Sequence, residues 1–189
     1  MKAAIRVGIA LAALAAAAWG QQVPAAKEAA MPAPAAAPAA YVSSAEIENI
    51  LQSTPQMDQP ARVVDAGKYR VGVFLIHRLA DADQGCTIEH DTMKLDSTTE
   101  VWRVMDGAGT LVTGGTLVDA KPMTDDDPDL PLLGRGERGT PITGGESRRI
   151  AKGDVVIIPA GVPHGFSAIE GSITLLVVRI DPAKMLAAK

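Results

Sequence analysis

The sequence predicts a small all-β domain, a barrel or a sandwich, on three observations. From Ala61 onward the chain breaks into short segments rich in β-branched and apolar residues, the types that suit a pleated, half-buried surface. Glycine-containing turns separate those segments, and hardly any helical pattern is visible, which is the layout of small barrels and sandwiches. At 189 residues there is room for one domain with a proper core, and not comfortably for two.

In chain order, residues 1–20 stand apart from that domain. Lys2 and Arg6 precede an apolar run over residues 7–18, and Ala18-Trp19-Gly20 offers small residues for cleavage. This is the layout of a bacterial secretory signal peptide. The run falls short of the ~20 residues a membrane span requires, so the expectation is export to the periplasm or outside the cell, with cleavage near Gly20, and no membrane embedding. Residues 21–40 are nearly all Ala and Pro from 23 on and read as a semi-extended tether. The folded domain is expected over 41–185.

Ser43-Ser44-Ala45-Glu46 has capping-box form, and Ile47, Ile50 and Leu51 follow on one face. That predicts a short helix over 44–52, packed across one end of the barrel. Strands are expected over 62–66 and 69–79, around the turn Ala66-Gly67-Lys68, and then over 98–105, 110–113, 154–158, 165–168 and 172–180. The last of these, Ile173-Thr-Leu-Leu-Val-Val-Arg-Ile180, is apolar on both faces. One face fills the barrel, and the other needs cover from the N-terminal strands or from a second subunit in a homodimer.

Residues 115–149 form a long connection rich in Asp, Pro and Gly; connections of this kind are often lids or binding loops. Leu130-Pro-Leu-Leu133 gives it an apolar tip to fold over a pocket mouth. Asp125-Asp126-Asp127-Pro128-Asp129 lacks the regular oxygen spacing of a calcium loop and reads as a solvated acidic turn. The formal net charge is −4 and no basic stripe with interleaved aromatics is present, which argues against nucleic acid as a partner and leaves a small-molecule ligand. Cys86 is the only cysteine, so an exported chain has no internal disulfide and Cys86 reads as an inert thiol.

Two segments carry the chemistry. Val155 to Ile158 reads as a buried strand that Pro159, Gly161 and Pro163 stop and fold back, delivering His164 on a rigid turn. Upstream, Glu100 heads a strand that closes on a glycine turn at Gly107. Alternation puts Glu100, Trp102 and Val104 on one face, where a carboxylate is costly to bury unless it is paired or bound to a cation. Glu100 is therefore either a cation ligand or a rim glutamate held by an arginine, and His164 either a functional imidazole or a turn histidine bonded to backbone. His77 reads as structural, and Trp102, Phe166 and Met105 as core rather than a substrate platform.

Together the two segments resemble the two motifs of the cupin superfamily. The second motif, Gly-x5-Pro-x-Gly-x2-His-x3-Asn, is matched by Gly153, Pro159, Gly161 and His164, with Ala168 in place of Asn; the first ends Glu-x6-Gly, matched by Glu100 and Gly107. The resemblance implies a single cupin-type β-barrel, or jelly roll, with a short N-terminal helix. It also implies that Glu100 and His164 are ligands of one divalent metal ion, Fe, Mn, Ni or Zn. The family's two histidines, six and four residues before the glutamate, fall here on Lys94 and Asp96. Two arrangements complete the set: Asp96 substitutes directly, or a four-residue insertion brings in His90, which lies ten residues before Glu100. In a third reading the Lys94 ammonium takes the cation's place, pairs with Glu100, and no metal binds. The implied chemistry is an oxygenase or isomerase acting on a small oxygen-rich molecule. The alternative is a non-catalytic module that binds a sugar or phenolic ligand.

Overall fold

Inward and outward residues alternate through two unusually long strands, and those strands set the architecture. The computed structural model describes residues 38–53, 58–80 and 92–189; the signal-peptide stretch, most of the tether, Cys86 and His90 lie outside them. The described residues fall within one unit, Ala36–Lys189. Helix α1 is Ser44–Ser53 and α2 is Leu130–Leu133. The strands are β1 Gln59–Asp65, β2 Arg70–Leu79, β3 Met93–Leu95, β4 Thr99–Thr113, β5 Thr116–Leu117, β6 Lys121–Pro122, β7 Gly136–Arg138, β8 Ile142–Thr143, β9 Glu146–Ala151, β10 Val155–Ile158 and β11 His164–Asp181. Nine of them form one antiparallel sheet, and β5 pairs with β8 separately. The expected all-β, cupin-type barrel with a short N-terminal helix is the fold observed.

Strand β11 is the spine. One of its edges pairs with β2 from Ser172 to Asp181, and the other pairs with β4 from His164 to Ile180. Strand β1 extends the sheet beyond β2, while β4 carries β10 against its first half and β9 against its second. The start of β11 also pairs with β3, which leads through β7 to β6.

The expected strands 98–105 and 110–113 are one continuous strand, β4, and 165–168 and 172–180 are likewise one strand, β11. Gly107 bends its strand instead of ending it. Its φ is +76°, and a Cβ there would lie 1.9 Å from the Ser172 carbonyl oxygen. Extra residues enter the β4–β11 ladder opposite this point, between Ile169 and Ile173. A bulge of that kind bends both strands together and curls the sheet, so one pair of strands walls two sides of the interior.

The helix cap forms as its sequence predicts: the Glu46 N–H donates to Ser43 Oγ at 3.1 Å. The Glu46 carboxylate, however, accepts from Arg62 of β1 at 3.1 Å, and α1 lies on β1 and β2. The interior is filled by Phe74, Trp102, Val104, Leu175 and Val177 with others of one buried cluster. The connection 115–149 is built in. Leu133 packs with Leu95 and Met123 in a second small core, and Leu132 packs against the main one. Its acidic run is neutralised by arginines, with Asp125 on Arg135 and both Asp127 and Asp129 on Arg138. Packing also runs past residue 185: Leu186 is buried, Arg70 Nη1 donates to the Leu186 carbonyl, and Lys189 bonds with Val63.

On the outer face, Leu176 and Val178 are half-buried and Ile180 is exposed. The N-terminal strands extend the sheet beside β11 and do not cover this face. Strand β10 is not the buried strand its β-branched run suggests: Val155 is 59% and Ile157 is 66% exposed, and only Ile158 is fully buried. No helix among the described residues is long and apolar enough to cross a membrane.

Candidate functional site

Strand alternation aims Glu100, Trp102 and Val104 inward, as their spacing predicts, and all three are buried. Glu100 is 1% exposed, so it is no rim residue. His164 comes to it from the Pro/Gly turn. The Gly161 N–H donates to the Leu95 carbonyl at 2.7 Å, and the Gly114 N–H donates to the Pro163 carbonyl at 2.8 Å. His164 itself sits in register with Met93 on one side and Thr113 on the other. The sequence pattern therefore delivers a rigidly held imidazole.

His164 Nδ1 lies 3.0 Å from the Val162 carbonyl oxygen, which only accepts, so Nδ1 carries a hydrogen. Nε2 lies 3.0 Å from Glu100 Oε2. Both side chains are buried, and the contact is an ion pair when the imidazole is protonated. The Trp102 indole meets His164 edge-on, with ring centroids 5.5 Å apart, and stacks on Phe166 at 5.8 Å.

The other oxygen of Glu100 is taken by Arg179. Arg179 Nε donates to Glu100 Oε1 at 2.7 Å, Nη1 donates to the Leu132 carbonyl at 2.9 Å, and Nη2 donates to Asp58 Oδ2. Arg179 lies across the ladder from Glu100 on one side and from Gly72 on the other. A Cβ at Gly72 would come within 2.3 Å of the Phe74 ring. The glycine thus leaves space for that ring, which packs 4.4 Å from the guanidinium carbon.

Burial alone would raise the pKa of Glu100, but the Arg179 charge and the contact with His164 outweigh it and hold the group at about 2. Burial opposes the charge on His164, and the Glu100 carboxylate with the Val162 carbonyl outweighs that and raises its pKa. For Asp58 burial prevails over Arg179, and its pKa is raised. In each of these three groups burial and the neighbouring charges pull in opposite directions.

Of the four residues expected to ligate a metal, Glu100 and His164 are brought together. Asp96 is exposed in the bend after β3, with its N–H donating to the Arg135 carbonyl, and it does not join them. His90 lies outside the described residues. Lys94 does not pair with Glu100: the β3–β7 ladder sets it opposite Glu137, and the two side chains meet at 2.7 Å. His77 Nδ1 lies 2.9 Å from the hydroxyl of its cross-strand partner Thr174. Among the described residues, no three His, Cys, Asp or Glu side chains group to hold an ion. Two donors with a buried guanidinium on one of them do not by themselves fit a divalent cation.

An arginine on Glu100 was one of the two readings the sequence allowed, but it did not name Arg179, and Asp58 was not anticipated. Arg179 did leave a signal, being the one charge in the last apolar strand and in phase with inward Ile173, Leu175 and Val177. Asp58 precedes β1 in a segment without periodicity and left none.

No family model and no curated protein matches the chain. Solved structures similar to it include hydroquinone 1,2-dioxygenase from Sphingomonas sp. TTNP3, at 12% identity over 76% of this chain and 81% of that one, TM-score 0.46. A Bacillus halodurans protein aligns at 14% identity over 80% and 88%, TM-score 0.44. The Cnp3 cupin domain of Schizosaccharomyces pombe aligns at 12% over 69% and 66%, TM-score 0.38. In this chain Glu100 and Gly107 stand on β4 and His164 opens β11, the two strands paired along most of their length.

Proposed function

We propose that the chain is an exported cupin-type module that binds a small neutral molecule inside its barrel without a catalytic metal. The observation that carries this reading is the clamping of Glu100 between Arg179 and His164. A carboxylate held at about 2 is a feeble proton acceptor near neutral pH, far from the pKa match that general-base catalysis favours. A fixed, ion-paired cluster among apolar walls is instead suited to orienting a ligand. The layout of residues 1–20 and the Ala/Pro tether support export to the periplasm or beyond. The exposed apolar residues Val155, Ile157 and Ile180 support a homodimer.

One observation favours a second reading, a metal-dependent oxygenase or isomerase. Glu100 Oε2 and His164 Nε2 lie 3.0 Å apart, the separation of neighbouring ligands on one ion with bonds of ~2.1 Å at right angles. With Nδ1–H fixed on Val162, Nε2 is the nitrogen left for a metal, and His90 would be the third donor.

Elemental analysis of the full chain, purified without chelator or histidine tag, separates the two. The binding-module reading expects well under one equivalent of metal after incubation with Fe(II), Mn(II), Ni(II) or Zn(II). Near one equivalent, lost on His164→Ala, overturns it in favour of the metalloenzyme.

A further inference from the structure

Every buried residue of the main apolar cluster stands on a strand except one, Leu186. It is 0% exposed, between half-buried Met185 and exposed Ala187, in a segment without regular structure that follows β11. A single side chain therefore anchors residues 182–189 in the core.

The backbone around that anchor is gripped from several sides. Arg70 and Asp181 lie opposite each other in the β2–β11 ladder. The Leu186 N–H donates to Asp181 Oδ2 at 2.8 Å, and Arg70 Nη1 donates to the carbonyls of Leu186 at 2.5 Å and Lys184 at 3.0 Å. The Ala187 N–H donates to the Pro131 carbonyl at 2.8 Å, and Lys189 and Val63 exchange two backbone hydrogen bonds, at 3.3 and 3.4 Å. That last pairing adds the segment to the free edge of β1, as an extended peptide adds to a sheet. An apolar anchor, partners for one residue's N–H and C=O, and an edge pairing are what a peptide site gives its ligand. Lys184, just ahead of the anchor, has φ +56°, a left-handed backbone that a non-glycine residue holds only under constraint.

We infer that Arg70, Asp181, Val63, Pro131 and the space Leu186 fills form a peptide seat, occupied in cis by residues 184–189. When that segment lifts, the seat takes an extended peptide with a leucine-like side chain. It uses none of Glu100, His164 or Arg179, so it is independent of what they hold. Departure of the segment leaves the buried Asp181 carboxylate without its N–H and Arg70 without its carbonyls, which is costly unless an occupant restores both. A hydrocarbon returns neither polar group, and a sugar brings no apolar branch for the Leu186 position.

A fluorescently labelled peptide of residues 184–189 is titrated into the full chain and into full-chain Leu186→Ala, with anisotropy as the readout. In the unsubstituted chain the cis segment competes at high effective concentration, and the substitution removes its anchor. The peptide is expected to bind Leu186→Ala at least about tenfold tighter than the unsubstituted chain, and a peptide with Ala in the leucine position is expected not to bind. Equal binding to the two chains overturns the inference, as does equal binding of the two peptides. Hydrogen exchange on the unsubstituted chain decides the matter even if Leu186→Ala does not fold. The Leu186 amide is expected to exchange roughly a hundredfold faster than those of Leu175 and Val177, by lifting of the segment alone. Equal rates show that the segment opens only with the whole barrel and overturn the inference.

Discussion

Replacing Arg179 by Met preserves much of the side-chain volume and strands two buried carboxylates, Glu100 and Asp58, without their cation. Leaving a buried charge uncompensated costs about 3–5 kcal/mol, so R179M is expected to lose that much stability in urea unfolding. Arg179→Lys, which keeps the charge without the forked donors, is expected to lose less. The same cluster sets a pH window. Glu100 falls from 4.5 to about 2 on folding, so its contribution, about 3 kcal/mol, is present above pH 4.5 and is lost as pH falls toward 2. His164 is raised above 6.5, so its contribution is complete below 6.5 and is lost as pH rises through its folded pKa. These two groups together therefore favour the folded state most between about 4.5 and 6.5, while the part of Asp58, raised from 3.8, is lost as pH rises. Glu100→Gln should flatten the acid limb in melts across pH. Glu100 and His164 were legible because strand alternation and a Pro/Gly turn are local patterns. Their partners were not, since nothing local ties Arg179 or Asp58 to a residue 79 or 121 positions away.

Strands add a different dependence, on glycines that the sequence marks alike and the fold uses differently. Gly107 and Gly153 both have positive φ, but a Cβ at Gly107 would strike the Ser172 carbonyl, whereas nothing lies within 4 Å of one at Gly153. Gly153→Ala should cost about 1–2 kcal/mol, the backbone penalty alone. Gly107→Ala should cost more than 3 kcal/mol, in the range of severe steric lesions, and should disorder the β4–β11 ladder as read by hydrogen exchange. Equal losses for the two would show that the close approach at Gly107 is unimportant. This is also why the expected turn at Gly107 became a bend. A glycine announces an unusual backbone, but whether the chain reverses or carries on depends on the strand alongside it. The short strands β3 and β7 were missed for a related reason, being too brief to show a period and held by pairing alone.

At the scale of the molecule, the all-β class and the barrel were legible from strand texture and turn spacing, and the motif residues Glu100 and His164 met on the paired strands β4 and β11. The outer face was legible only as a need for cover. Val155 and Ile157 of β10 stand exposed beside the half-buried residues of the sheet. Light scattering of the full chain is expected to give the mass of two copies, and Ile157→Glu the mass of one. A single-copy mass for the unsubstituted chain would remove the sheet-face dimer.

Strand β11 lies between β2 and β4 and supplies the cation of the buried cluster, yet it follows every other described strand in the chain. On the ribosome, therefore, the earlier strands emerge without their central partner, and the barrel has no means of closing until nearly all of these residues have been made. Folding that waits on distant pairing is slow. On the export proposed above, that delay would leave the chain unfolded while it crosses a membrane.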